Sequence, residues 1–134
     1  MKWEINYVAG HRIVQVKYSG RMTWNDKRML GLETLAAGRK KNVRAFLVNQ
    51  KKTSFGLTVP EINRLPVILK EIGFDAADKV SILIKAGTIE KKLLGFLQNI
   101  LSLSPMQIRV FIDQQKATDW LLKKPLSKVN PMFN

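Results

Sequence analysis

The chain contains no cysteine and a single histidine, His11. The first absence removes disulfide scaffolds, zinc-thiolate sites and cysteine nucleophiles, and it is compatible with a reducing compartment. The second leaves neither a histidine-based triad nor a two-histidine metal site within one chain, and His11 itself falls at a turn-type break. Acidic residues are scarce: ten Asp and Glu stand against 23 Lys and Arg, a net charge of +13 that favours acidic partners, nucleic acid or anionic lipid. Long apolar runs are missing too. No segment approaches the ~20 residues needed to span a bilayer, and the opening "MKWEINYVAG" alternates polar with apolar residues, unlike a signal peptide. A cytoplasmic protein is expected. No phosphate-binding loop occurs, since "AGTIEKK" lacks the glycines and the Lys-Ser/Thr ending. Ser19, Ser54 and Ser104 have no evident base, and the close acids Asp75 and Asp78 read as loop polarity and turn capping. Catalysis is therefore not expected, and neither a cofactor nor a metal is implied.

What remains is ample core material. The 134 residues, 46% of them hydrophobic, suffice for one compact domain. The positive charge is spread along the chain, with no detachable basic tail. Alternation predicts strands at Trp3 to Val8 and Arg12 to Tyr18, joined at Ala9-Gly10-His11 as a hairpin. "TWND" sets a capping hydroxyl, Thr23, three residues ahead of Asp26; Trp24, Leu32, Leu35 and Ala36 then recur at helical spacing until Gly38. Val43 to Val48, Val80 to Ile84 and Ile108 to Ile112 read as buried strands. Helices are expected at Val59 to Ile72, at Glu90 to Leu103 and over "KATDWLLKK". The order β-β-α-β-α-β-α-β-α predicts an α/β fold with a mostly parallel sheet and an antiparallel first strand. The domain is expected over residues 1–124, with a loosely ordered tail over 125–134.

The stretch "VNQKKTSFGLTVPEINRL" crowds lysines, hydroxyls and a glycine between a strand-like and a helix-like run. Lys51, Lys52, Thr53, Ser54 and Thr58 are the candidate partner or anion loop, because free amides and the helix dipole favour negative charge at a helix start. A capping box of Thr58 with Glu61, and Pro60 in the first turn, explains the same residues without regulation.

Together, "RIVQVKYSGRMTWND", "RAFLVNQKKTSFGLTVPEINRLPVIL" and "IRVFIDQQKATDWL" resemble the SpoIIAA-like family, the STAS fold of anti-sigma factor antagonists, over about Trp3 to Leu122. The fold is also similar to lipid-transfer domains of the CRAL-TRIO type. The resemblance implies a non-catalytic interaction or regulatory domain. In regulatory members a serine in an Asp-Ser-Gly-type loop at the second helix is phosphorylated. Here "SFGLTVPE" offers Thr58 as the nearest hydroxyl, with Leu57 where the acid would stand, so the switch signature is missing.

Strand alternation assigns Val14, Val16, Tyr18, Val43, Ala45, Leu47, Val80, Ile82, Ile84, Ile108, Val110 and Ile112 to one apolar face. Lys17, Arg44, Lys85 and Arg109 fall on the other, among Phe46, Leu83 and Phe111. This candidate basic face has the ingredients of a sheet that stacks single-stranded nucleic acid, or of a thin second core. Right-handed crossovers are expected to leave it the less covered side. On "EKKLLGFLQNILSL", Leu93, Leu94, Phe96, Leu97, Ile100 and Leu101, with Leu103, cover about half the helix circumference. They form the candidate hydrophobic-ligand or interface helix. The partner expected is a protein met through the Lys51 to Thr58 loop. The alternative is a hydrophobic ligand or an anionic membrane surface; nucleic acid ranks third, and homodimerisation fits the mixed face and the wide helix.

Overall fold

The computed structural model describes residues 2–55, 58–87 and 91–123, so the tail expected from 125 onwards lies outside the described residues. Strands β1 (Trp3–Val8) and β2 (Ile13–Met22) form an antiparallel hairpin. In its turn Arg12 adopts a left-handed conformation (φ 54°) and His11 is exposed. β2 runs four residues past the expected end at Tyr18. The register shifts between Lys17 and Ser19, and Gly20, just past the shift, has a positive φ of 98°.

Helix α1 (Trp24–Lys41) starts in the expected box, with Thr23 Oγ1 accepting from the Asp26 amide and Asp26 accepting from the Thr23 amide. Its buried stripe is Leu30, Thr34, Leu35 and Gly38. Leu32 and Ala36, expected inside, are exposed, because Gly38 and not Ala36 gives the ring of Phe46 the room it takes. Strand β3 (Ala45–Phe55), helix α2 (Val59–Ile72) and strand β4 (Lys79–Leu83) follow, then helix α3 (Lys91–Leu101), strand β5 (Gln107–Phe111) and helix α4 (Gln114–Leu122). The sheet order is β1-β2-β3-β4-β5, antiparallel only at the first pair.

Each parallel strand is added on the same side of its predecessor, so the right-handed crossovers carry α1, α2 and α3 to one face. There Val14, Val16, Tyr18, Phe46, Val80 and Ile82 meet Leu30, Leu35, Ile62, Leu65 and Leu101 in the main core. Helix α4 follows the last strand and turns to the opposite face, where Ala117 and Leu121 pack on Ile13, Leu47 and Leu83.

The register corrects the expected phase of β3. Val14 pairs with Phe46 and Val16 with Val48, so Phe46 and Val48 face the main core, while Ala45 and Leu47 face α4. Val43 is buried but precedes the strand. "VRAFLV" is apolar in both phases, and the decision falls to Phe46, which is fully buried beside Gly38 and edge-on to Phe74 at 5.8 Å.

Candidate functional site

The lysines and hydroxyls expected on a loop belong to a strand. Lys51, Lys52, Thr53 and Ser54 continue β3, where Lys52, Thr53 and Ser54 pair with Ser19, Gly20 and Arg21 of the extended β2. Thr53 is buried, and its hydroxyl donates to the Tyr18 carbonyl at 3.3 Å. Lys51, Lys52 and Ser54 are exposed on the paired strand. Thr58 is exposed at the N-cap of α2; it accepts from the Glu61 amide at 3.3 Å, and Glu61 Oε1 accepts from the Thr58 amide at 2.8 Å. Gly56 and Leu57 lie outside the described residues.

The candidate basic face is not one surface. Lys17 pairs in register with Glu4 and Asn49 on the half of the second face that α4 does not reach, beside a broad groove of about 660 Å³ that Lys51 and Lys52 also line. Arg44 precedes β3 and donates to Asp75 at 2.8 Å. Lys85 is exposed beyond the end of β4, and Arg109 lies over the rings of Phe111 and Trp120 at 5.5 and 5.9 Å. The apolar residues expected between these cations are spent elsewhere: Phe46 is on the other face, Leu83 is fully buried under α4, and Phe111 packs against Trp120. The expected mixture of these cations with Phe46, Leu83 and Phe111 on one face is therefore not formed.

Helix α3 ends at Leu101, before the expected Leu103, because Pro105 follows and the last turn tightens onto the Ile100 and Leu101 carbonyls. Glu90 lies outside the described residues. Leu101 is buried; Leu94, Phe96, Leu97 and Ile100 are half-buried against the core; Leu93 is exposed, and Leu103, past the helix, is 72% exposed.

Two polar groupings escape notice in the sequence. Asp78 is completely buried and accepts two hydrogen bonds from Arg39, at 2.9 and 2.8 Å, together with the Asp75 amide at 2.9 Å. That contact raises the Arg39 pKa, while the Ala77 amide and then Arg44 lower that of Asp75. These bonds join the end of α1 to the turn before β4, a structural role; nothing in the sequence distinguishes Asp78 from a loop acid.

The second grouping lines a cavity of about 60 Å³ between the sheet and helices α1 and α2. Its wall is mostly apolar, with Leu30, Leu65, Leu69, Phe74, Val80 and Ile82 among the lining residues. Three polar side chains join them: Lys27 and Thr34 from α1 and Gln50 from β3. Thr34 and Gln50 are 3% and 2% exposed. The Thr34 hydroxyl makes no hydrogen bond among the described residues, and Gln50 Nε2 reaches only the Met22 sulfur, at 3.9 Å. Burial pushes the Lys27 ammonium down to about 8. The helical spacing of Lys27, Leu30, Gly31 and Thr34 was the available signal: a lysine in register with a core stripe.

No family model and no curated protein sequence matches the chain. Among solved structures it is similar to an uncharacterised protein of the DUF3478 family from Shewanella loihica PV-4, which has a SpoIIAA-like fold. The TM-score is 0.52 at 17% identity, over 89% of this chain and 91% of that one. This fold is SpoIIAA-like. The expected order of elements and the single antiparallel pairing agree with that likeness. Among the described residues no helix is long and apolar enough to cross a membrane, and no group of three or more His, Asp or Glu gathers as a metal site.

Proposed function

We propose that this SpoIIAA-like domain is a non-catalytic binding protein whose ligand is a small apolar molecule held between the sheet and helices α1 and α2. The cavity lined by Lys27, Thr34 and Gln50 carries this reading, because an apolar wall bearing a few polar groups is the usual form of a small-molecule site, here well below the common size of ~300–1,000 Å³. At about 60 Å³ it takes a handful of non-hydrogen atoms. Native mass spectrometry of protein purified from its own host tests the reading. A bound small apolar molecule released on denaturation is the expected result. Uniformly empty protein, together with no thermal shift from a panel of apolar probes, overturns it.

A protein partner is the second reading, and the exposed Val59 and Val67 on α2, at 53% and 58%, favour it. Regulation through phosphate on Thr58 is disfavoured, because Glu61 Oε1 lies 3.1 Å from the hydroxyl and would face the added charge. Stoichiometric phosphate at Thr58 in native protein would reverse that judgement.

A further inference from the structure

The face that α1 turns toward the sheet should be uniformly apolar, yet Lys27 and Thr34 both stand on the part of it that lines the cavity, and Gln50 faces them from β3. Buried polar groups are as a rule paired, and unpaired ones mark unfinished sites. Here the Thr34 hydroxyl has no partner, and Lys27 makes neither an ion pair nor a hydrogen bond with any described residue. Packing alone does not call for a cation there: methionine has nearly the same shape and would carry no desolvation penalty.

Lys27 lines this mostly apolar cavity while only half-buried, and what it lacks there is an anion. The cavity limits which anion. A phosphate dianion beside a single lysine would leave a second negative charge uncompensated in apolar surroundings, whereas a carboxylate matches it one for one and accepts charge-assisted hydrogen bonds. Gln50 adds an amide to the polar lining. Thr34 stands two turns further along α1, about 10 Å from Lys27 along the axis, so the charged group and the hydroxyl serve different ends of the space. We propose that the cavity is a site for an aliphatic monocarboxylate, with its carboxylate on the Lys27 ammonium and its chain among Leu65, Leu69, Phe74 and Ile82. This rests on the apolar-ligand reading and adds the head group. In the complex the Lys27 ammonium, drawn down to about 8 by burial, gains a charge partner.

The test compares butanoate with butanol, and the acids from butanoate to decanoate with one another, by calorimetric titration and by amide shift mapping of the full chain. Wild type is expected to bind an acid of this series at least tenfold more tightly than the matching alcohol, with shifts centred on Lys27, Thr34 and Gln50. Lys27→Met, which removes the charge and keeps the shape, is expected to lose that preference and keep the alcohol's affinity; Lys27→Gln serves as a second variant should the first fold poorly. Equal affinity for acid and alcohol, or unchanged acid binding in both variants, overturns the head-group assignment and leaves the apolar-ligand reading standing. If neither acids nor alcohols bind at the cavity, both readings fall.

Discussion

Asp78 and Lys27 are both charged side chains drawn into the protein, and they behave oppositely because one is matched and the other is not. Asp78 holds a bidentate pair with Arg39, so removing the carboxylate strands the guanidinium and the Asp75 amide together. Asp78→Ala is expected to cost about 2–3 kcal/mol, since charge-assisted hydrogen bonds to a buried carboxylate are lost while the Arg39 left behind is open to water, whereas Arg44→Ala should cost under about 1 kcal/mol. Urea unfolding of the two variants measures the contrast, and equal losses would refute it. Lys27 has no such partner, and its pKa falls from 10.5 to about 8. A depressed pKa means that the folded protein releases this proton more readily than the unfolded chain does. The lysine's contribution is therefore most favourable above pH 10.5 and is lost as pH falls through 8. Partial exposure of the residue tempers the size of the effect without changing its sign. Tyr18, pushed up from 10.0 to about 12 by burial and by its bond to Asp26, acts in the other direction, but only above pH 10. Stability should therefore rise between pH 8 and 10 in wild type, and this rise should be smaller in Lys27→Met, where Lys79, whose pKa burial also lowers, still contributes; Lys27→Met should also be the more stable protein at neutral pH. Urea midpoints across that interval decide the matter.

Helices are where local chemistry speaks most clearly. Both capping boxes were legible because each is complete within four residues: Thr23 with Asp26, and Thr58 with Glu61. Register between strands is a long-range matter, and there the sequence was silent. The polar run Lys51 to Ser54 does not look like a strand until the extended end of β2 lies beside it, and "VRAFLV" does not choose a phase until Phe46 finds Gly38. Two helical glycines separate packing from propensity. A Cβ on Gly38 would come within 2.5 Å of the Phe46 ring and 2.8 Å of the Val43 carbonyl, whereas at Gly95 it would meet nothing within 4 Å. Gly38→Ala is expected to destabilise by about 1–3 kcal/mol through overpacking. Gly95→Ala is expected to stabilise by about 0.5–1 kcal/mol, as alanine does in an open helix. Thermal unfolding of the pair checks both signs, and a stabilising Gly38→Ala would show that Phe46 moves aside freely.

At the scale of the whole molecule, three helices cover one face of the sheet and one covers part of the other, so the second face is divided between a small core under α4 and an open basic half. Crossover handedness made that imbalance foreseeable; the reach of α4 was not foreseeable, because the sequence around "KATDWLLKK" does not say which side the last helix takes. For the same reason, none of the candidate sites read from one segment at a time coincides with the cavity, whose polar residues come from α1 and β3 and meet only when the chain is folded. The cationic excess likewise belongs to the entire chain. Of the ten acids, Asp26, Asp75 and Asp78 form ion pairs among the described residues, and those pairs engage only Lys2, Arg39 and Arg44, so the lysines and arginines, 23 against ten acids, are in large surplus. Like-charge repulsion across the molecule works against the compact state, and added salt shortens its range from ~30 Å at 0.01 M to ~8 Å at 0.15 M. Salt also weakens the exposed pairs, but those contribute little individually, while the buried Arg39 contact to Asp78 is screened least. Repulsion should therefore dominate the response. The urea midpoint at neutral pH is expected to rise as sodium chloride goes from 0.01 to 0.15 M, and a fall over that range would mean that attractive pairs, and not the surplus of lysine and arginine, govern how this chain responds to ions.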